Sequence, residues 1–306
     1  MRAIATILMS FALLMLFGFA APAGATVNVL ACEPEWAALT NEIAGDRARV
    51  SSATTAMQDP HHIEARPALI AQARRADLLV CTGAELEIGW LPLLQTESAN
   101  PATQSGQKGW FEVSQFVTMI EKPTVLDRAQ GDIHPAGNPH LQLDPRNLLR
   151  VADALAKRLA EIDPSGAAQY EARRADFVKR LQTGIARWEK QAQLAGLKGM
   201  PVLVQHSTWS YLVGWLGLKV VGDLEPKSGV EPSAAQLGQL LEGLKTKPAK
   251  MVLRAGYLSP KAGDWIAGKA GIRAVTLPST VGGSARARDL ISFYDDILDR
   301  LTEAAR

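Results

Sequence analysis

SGAAQYEARRADFVKRLQTGIARWEKQAQLAG, residues 165–196, is the stretch that decides the fold of this 306-residue chain. It contains no proline and one internal glycine, and its large apolar side chains recur at helical intervals. These side chains belong to Tyr170, Phe177, Leu181, Ile185 and Trp188. A helix of about 30 residues spans roughly 45 Å, because each residue rises 1.5 Å. The stretch therefore predicts one long rigid helix that bridges two lobes, with a helical hairpin inside a single domain as the alternative.

Short apolar segments alternate with amphipathic segments on both sides of this helix. Before it, predicted strands at 27–32, 48–55 and 77–84 alternate with helices at 35–45 and 65–76, and a further helix covers 144–163. After it, strands at 201–207, 218–224, 249–256 and 272–279 alternate with helices at 208–217, 233–246 and 259–271 and a last helix from about Ala285. Such alternation is typical of parallel sheets covered by helices. The sequence therefore predicts an α/β fold with two such lobes, 26–163 and 198–306, joined by one long helix at 164–197.

The segment 95–137 lacks this alternation. It is rich in Gly, Pro, Ser, Thr and Gln and ends in GDIHPAGNP. We therefore predict an irregular connection there.

Residues 1–25 have the composition of a secretory signal peptide. A positive Arg2 precedes an apolar run, and Ala23-Gly24-Ala25 offers a small-residue cleavage site. No later apolar run reaches the length of about 18 residues that a membrane span needs. We therefore expect an exported, periplasmic protein, and the net charge of +2 gives no strong attraction to nucleic acid.

The two cysteines, Cys32 and Cys81, end predicted strands in a compartment that we expect to be oxidising. A disulfide between them is feasible if the two strands are neighbours, but sequence does not fix that geometry. Lipid attachment at Cys32 is the alternative use of that residue. Its place inside the apolar run TVNVLAC argues against lipid attachment.

Three of the five histidines lie at strand ends or turn mouths, in QDPHHIEARP (His61), GNPHLQLDP (His140) and VLVQHSTWSYL (His206). Neutral imidazole is the commonest protein ligand for zinc and related metals, so their convergence would make a metal site. The alternatives are an exposed loop position for His61 and a buried, hydroxyl-bonded ring for His206. These patterns do not choose between His61 and its neighbour His62, although both are not expected to bind one ion.

Two further residues near His140, His134 and Asp144, could contribute to such a metal site. His134 pairs with Asp132 in GDIHPAG and could form an accessory carboxylate–histidine pair, but we expect a solvated loop residue. Asp144 could accept a hydrogen bond from an imidazole, although capping the helix that starts near Arg146 is the role we expect.

Motifs for catalysis are absent from the sequence. There is no G-x-S-x-G elbow, no H-E-x-x-H helix, no G-x-G-x-x-G turn and no P-loop. Binding rather than bond chemistry is therefore the expected function. A zinc hydrolase is the alternative, with Glu64 or Glu225 as its general base.

Several motifs, taken together and in order, resemble the periplasmic solute-binding proteins of zinc and manganese ABC importers. They are DPHHIEARP, ADLLVCTGAELE, NPHLQLDP, the long helix, QHSTWSYL and a final LPSTVGG, and they extend over nearly the whole mature chain. In the family's pattern the first ligand lies six residues before a proline, and Pro67 therefore selects His61 over His62. The pattern makes His140, in N-P-H-x-x-x-D-P, the second ligand. His206, which opens an H-x-x-x-x-Y segment, is the third.

The resemblance implies a monomeric binding protein, not an enzyme, that captures zinc between its lobes and passes it to the membrane permease of an ABC importer. One departure concerns the fourth ligand. The family often places an Asp or Glu in a stretch like L-D-P-L-G, whereas residues 277–280 here read L-P-S-T. The fourth position is thus left to water or to another carboxylate such as Glu225. Three imidazoles with an open position suit zinc, because manganese favours more oxygen ligands; manganese or iron is the alternative cargo.

Overall fold

The computed structural model describes residues 26–124 and 131–306 of the chain. The predicted signal peptide, residues 1–25, lies outside the described residues. Within the described part of the chain, no helix combines the length and apolarity that crossing a membrane requires.

The first lobe is a four-stranded parallel sheet in the order β2-β1-β3-β4. Its strands are β1 (Val27–Ala31), β2 (Ala48–Ser52), β3 (Leu78–Cys81) and β4 (Trp110–Glu112). Its helices are α1 (Pro34–Ala44), α2 (Pro67–Arg75), α3 (Leu91–Ser98) and α4 (Pro145–Ile162). The prediction of an irregular connection over 95–137 was wrong in part, because β4 and the end of α3 lie there.

The second lobe repeats the same strand order as β6-β5-β7-β8, again fully parallel. Its strands are β5 (Pro201–Val204), β6 (Lys219–Asp223), β7 (Met251–Ala255) and β8 (Arg273–Leu277). Its helices are α6 (Ser210–Leu216), α7 (Ala234–Gly243), α8 (Pro260–Ala270) and α9 (Leu290–Ala304). The last helix begins five residues later than the sequence predicts, because Asp289 caps it by accepting a hydrogen bond from the backbone N–H of Ser292 at 2.8 Å.

The long helix between the lobes is α5, Ala167–Leu194, 28 residues without interruption. Its first half contacts the first lobe, where Arg173 Nε donates to the carbonyl of Glu42 at 2.9 Å. Its second half contacts the second lobe, where Trp188 Nε1 donates to Asp295 Oδ1 at 2.6 Å. The prediction of two α/β lobes joined by one long helix is confirmed.

The glycine inside α5 makes room for an aromatic side chain. A Cβ at Gly184 would lie 2.6 Å from the Trp188 ring. Trp188 is fully buried and its ring lies 4.9 Å from that of Tyr294 on α9. One face of the helix therefore belongs to the core, while its other side is exposed, and one continuous hydrophobic cluster includes residues of this face and of both sheets.

Polar contacts at the edge between the lobes add to this shared core. Thr280 Oγ1, just after β8, donates to Glu35 Oε2 on α1 at 2.5 Å. Gln142 Nε2 donates to the carbonyl of Ser279 at 3.0 Å. The loop at 277–280, where the resembled family often has a carboxylate ligand, is thus engaged with the opposite lobe.

A disulfide joins Cys32 and Cys81. The two residues follow or end β1 and β3, which are hydrogen-bonded neighbours, and their Cα atoms lie 4.7 Å apart. The cross-link that the sequence left open is therefore present, and it fixes the carboxyl ends of the two central strands of the first lobe.

Candidate metal centre

His61, His140 and His206 converge between the lobes. One ring nitrogen of each lies within 4.8 Å of the other two, and all three residues are buried. The ring centroids form a nearly equilateral triangle, with separations of 5.7 Å (His61–His140), 5.6 Å (His61–His206) and 5.6 Å (His140–His206). His62, by contrast, is exposed.

The parallel topology explains this convergence. His61 lies on the loop after β2, His140 on the connection between β4 and α4, and His206 two residues after β5. Ligand sites in open α/β sheets collect outside the carboxyl ends of the strands. Because the carboxyl ends of both sheets border the same cleft, residues distant in sequence meet there.

Short side chains position the two histidines of the first lobe. Asp59 Oδ1 accepts from the backbone N–H of His61 at 3.0 Å, and Asn138 Oδ1 accepts from that of His140 at 3.0 Å. Asn138 Nδ2 also donates to the carbonyl of Ser207 at 2.8 Å, which links the His140 loop to the residue after His206. Each histidine is therefore held by a side chain two residues before it.

Asp144 has the role expected from the sequence. It caps α4 by accepting from the backbone N–H of Arg146 at 2.9 Å and forms an ion pair with the Arg146 guanidinium at 2.6 Å. It thereby fixes the start of the helix that follows His140.

The backbone of His206 is strained. Its φ of 69° and ψ of 155° fall in a region that essentially only glycine adopts, at a cost of about 1–3 kcal/mol for other residues. Such strain persists where the surrounding structure and a function require the side chain at that point. With this backbone conformation, the imidazole of His206 lies against the rings of His61 and His140.

Carboxylates orient two of the three rings. Asp59 Oδ1 lies 2.7 Å from Nδ1 of His61, and Glu225 Oε2 lies 2.9 Å from Nδ1 of His206. A metal-binding imidazole usually donates its second N–H to such an acceptor, which fixes the tautomer and the ring direction. Glu225 therefore lies behind His206, on the side of the ring away from Nε2. Asp59 does the same for His61, a role that the sequence did not single out.

Three ring nitrogens among the described residues are buried without a hydrogen-bond partner: Nε2 of His140, Nε2 of His206 and Nδ1 of His134. The two Nε2 atoms belong to the three rings that converge. A buried polar atom without a partner is costly, and an explanation such as an ion is required. The donor set, uncharged imidazole nitrogens facing one another, fits a transition-metal cation.

The electrostatics of the rings differ. Burial, then the neighbouring His206 and His61, hold the pKa of His140 well below its usual value. Burial also opposes protonation of His206, but the hydrogen bond and charge of Glu225 outweigh it and raise its pKa. The surroundings therefore favour the neutral ring at His140 and favour protonation more at His206 than at His140.

His134 is a fourth imidazole at this centre. The expectation that it is a solvated loop residue was wrong: it is half-buried, and its Nε2 lies 3.2 Å from Nε2 of His61. Burial, with His61 next in weight, lowers its pKa to about 4.

Neither candidate general base of a hydrolase is free to act beside the three rings. Glu64 is exposed, and Glu225 is engaged with His206.

Comparison with known proteins gives a consistent set of relatives. The family model for the periplasmic component A of zinc-uptake complexes, ZnuA, matches residues 29–304. The high-affinity zinc uptake system protein ZnuA of Bacillus subtilis is 24% identical over 271 residues, which are 87% of this chain and 82% of that protein. The manganese ABC transporter substrate-binding lipoprotein scaA of Streptococcus gordonii is 30% identical over 158 residues, 51% of this chain and 48% of that protein.

Solved structures give the same result. A crystal structure of ZnuA superposes with a TM-score of 0.76 at 26% identity, over 92% of this chain and 100% of that one. A cadmium-bound periplasmic metal-binding protein from Candidatus Liberibacter asiaticus shares the fold, with a TM-score of 0.75 at 18% identity, over 92% of this chain and 100% of that one.

Proposed function

This chain belongs to the ZnuA family of periplasmic zinc-uptake components, and from that premise we propose that it captures zinc in the periplasm and delivers it to the permease of an ABC importer. The family consists of substrate-binding components of metal importers rather than enzymes. His61, His140 and His206 are the proposed ligands. The observation that carries the proposal is the pair of unpartnered Nε2 atoms of His140 and His206, which face His61 between the lobes.

Zinc is the proposed cargo because of the donor set. Imidazole nitrogens suit zinc, whereas manganese favours carboxylate, carbonyl and water oxygens. The carboxylates closest to the rings, Asp59 and Glu225, lie on the Nδ1 side of His61 and His206, where they support the rings. Manganese is the second candidate, since relatives such as scaA are manganese transporter components.

Capture and delivery require binding without bond chemistry. Ligands from both lobes close around one ion, so the ion stabilises the arrangement in which the lobes face each other. The proposed export by residues 1–25 would place the protein in the compartment from which an importer draws its cargo. We propose that it acts there as a monomer, with the lobe edges around the centre presented to the permease.

A thermal-shift titration of the mature, metal-free protein tests this function. At zinc concentrations about 100-fold above the dissociation constant, we expect about 2.7 kcal/mol of added stability, hence an increase of about 5 °C or more in Tm. The His140→Ala variant should lose most of that increase, and His62→Ala should keep it. A larger shift with manganese than with zinc would contradict the choice of cargo, and an equal shift in His140→Ala would exclude His140 as a ligand.

A further inference from the structure

The fourth histidine of the centre lies on a short segment, residues 131–134, which we call the strap. The His134 ring lies 5.2 Å from the His61 ring, closer than His140 or His206 lies to it. Its Nε2 is 3.2 Å from Nε2 of His61. Nε2 of His134 thus faces Nε2 of His61, at the edge of the group in which nitrogens of His61, His140 and His206 all lie within 4.8 Å of one another.

This separation suits two ligands of one ion. In a tetrahedral zinc site with bonds of 2.0–2.1 Å to nitrogen, two ligand nitrogens lie about 3.3 Å apart. With a proton on Nδ1 shared with Asp59 Oδ1, 2.7 Å away, His61 presents the lone pair of its Nε2 toward Nε2 of His134, 3.2 Å away. A cation between the rings would replace that contact.

The strap is attached to the second lobe, although it precedes His140 of the first. Gly131 forms a parallel bridge with Ser228, and the backbone N–H of Asp132 donates to the carbonyl of Ser228 at 3.0 Å. The approach is close: a Cβ at Gly131 would lie 2.1 Å from the Ser228 carbonyl oxygen, and Gly131 has a φ of 92°.

The loop that receives the strap also supports a ligand. The backbone N–H of Gly229 donates to Glu225 Oε2 at 2.8 Å, the atom that faces His206. A Cβ at Gly229 would lie 2.1 Å from Asp132 Oδ2, and Gly229 has a φ of 78°, so the two segments approach each other closely there. The position of His134 and the orientation of His206 therefore depend on one shared contact between the lobes.

We propose that His134 is the fourth metal ligand, in the place that the loop at 277–280 leaves without a carboxylate, and that the strap closes the centre by joining the two lobes over the ion. This inference rests on the proposed function. It makes the site a four-imidazole site without a charged ligand, which strengthens the preference for zinc over manganese.

Two measurements on the zinc-loaded protein test the ligand role. X-ray absorption at the zinc edge should count four imidazoles in the wild type and three plus a light oxygen atom in His134→Ala. Competition with a chelator should give an affinity at least about tenfold weaker for His134→Ala, because losing even an outer partner of a ligand costs about 10–100-fold. His62→Ala, an exposed neighbour, should match the wild type in both. Gly131→Ala, which keeps the imidazole but displaces the strap, should weaken binding in the same direction as His134→Ala.

The outcomes separate the two proposals. Wild-type affinity in His134→Ala, together with loss of binding in His140→Ala, would overturn the role of His134 and leave the function standing. A count of three imidazoles in the wild type would also overturn it, even with weaker binding in His134→Ala, because His134 would then act only through His61. Absence of zinc binding by the wild type would overturn both.

Discussion

Glu225 and His206 form a buried pair in which the carboxylate lies 2.9 Å from Nδ1 of the ring, and both side chains are about one-twentieth exposed. The pair decides which nitrogen of His206 faces the centre. Glu225 was one of the candidates for the fourth ligand; the structure places it behind His206, one of the proposed ligands, instead.

Replacing Glu225 by glutamine should weaken zinc binding by about 10–100-fold, because the neutral amide no longer fixes the ring proton on Nδ1. Chelator competition at constant pH measures the change, with the exposed Glu231→Gln as the matched control. Equal affinities for the two variants would show that the carboxylate does not support the site.

Zinc binding should weaken as the pH falls, and His206 should set where the decline begins. Its pKa is raised above the ordinary value, whereas that of His140 is lowered, so His206 is the first of the two to be protonated. Zinc must displace that proton, which costs about tenfold in affinity for each pH unit below the pKa of His206. In Glu225→Gln the decline should begin at lower pH; an unchanged onset would assign the proton to another group.

The strain at His206 predicts a difference between two variants that both lack the ring. Glycine adopts a φ of 69° without strain, whereas alanine does not. Metal-free His206→Gly should therefore be about 1 kcal/mol more stable than His206→Ala, after allowing for the greater entropy of glycine in the unfolded chain. Urea unfolding of the two proteins gives the comparison, and equal midpoints would contradict a strained backbone.

Buried glutamates on the first lobe predict a pH-dependent stability. Burial raises the pKa of Glu35 to about 7, against the hydrogen bond from Thr280, and burial likewise raises the pKa of Glu87 to about 7. The folded state keeps protons that the unfolded state releases near pH 4.5, so stability should decrease from pH 4.5 to 7 and then level off.

The variant Glu35→Gln isolates this effect. Its free energy of unfolding should decrease less between pH 4.5 and 7 than that of the wild type, by about 1.4 kcal/mol for each unit of pKa shift that the substitution removes. Above pH 7 the variant should therefore be more stable than the wild type. The exposed Glu97→Gln serves as the control. A decrease of the same steepness in Glu35→Gln would show that Glu35 is not the group that titrates.

The Cys32–Cys81 disulfide should be a major source of stability. The cysteines are 49 residues apart, and closing a loop of that length in the unfolded chain is worth about 4 kcal/mol. The double variant Cys32→Ser, Cys81→Ser should unfold at correspondingly lower guanidinium concentration. An unchanged unfolding midpoint after reduction of the wild type would contradict this expectation.

Much of the fold could be predicted because its signals are local. Strand–helix alternation and the unbroken apolar spacing of 165–196 can be read from neighbouring residues, and both are confirmed. The strand Trp110–Glu112 was missed because it has three residues of mixed polarity in a segment rich in glycine and glutamine. Its strand conformation depends on pairing with β3, a contact across about 30 residues of chain.

In the candidate centre, too, the residues with local sequence signals could be predicted, and those that depend on contacts with distant residues could not. Prolines next to His61 and His140 and the strand end before His206 are local signals, and the structure brings these three residues together. His134 was misjudged because GDIHPAG reads as a solvated turn; its burial comes from pairing of the strap with Ser228, almost a hundred residues later. The sequence Asp-Pro-His, with a carboxylate two residues before the ring, could have indicated the role of Asp59.

The helix Ala167–Leu194 has a consequence for cooperativity. Its buried face belongs to the largest apolar cluster, which both sheets share, whereas the cluster that each lobe has to itself is smaller, so neither half of the molecule keeps its main interior when the other is lost. The two halves should therefore melt in a single calorimetric transition rather than in two. An ion bound between the lobes would then stabilise the whole chain against unfolding, including segments that are far from the proposed ligands.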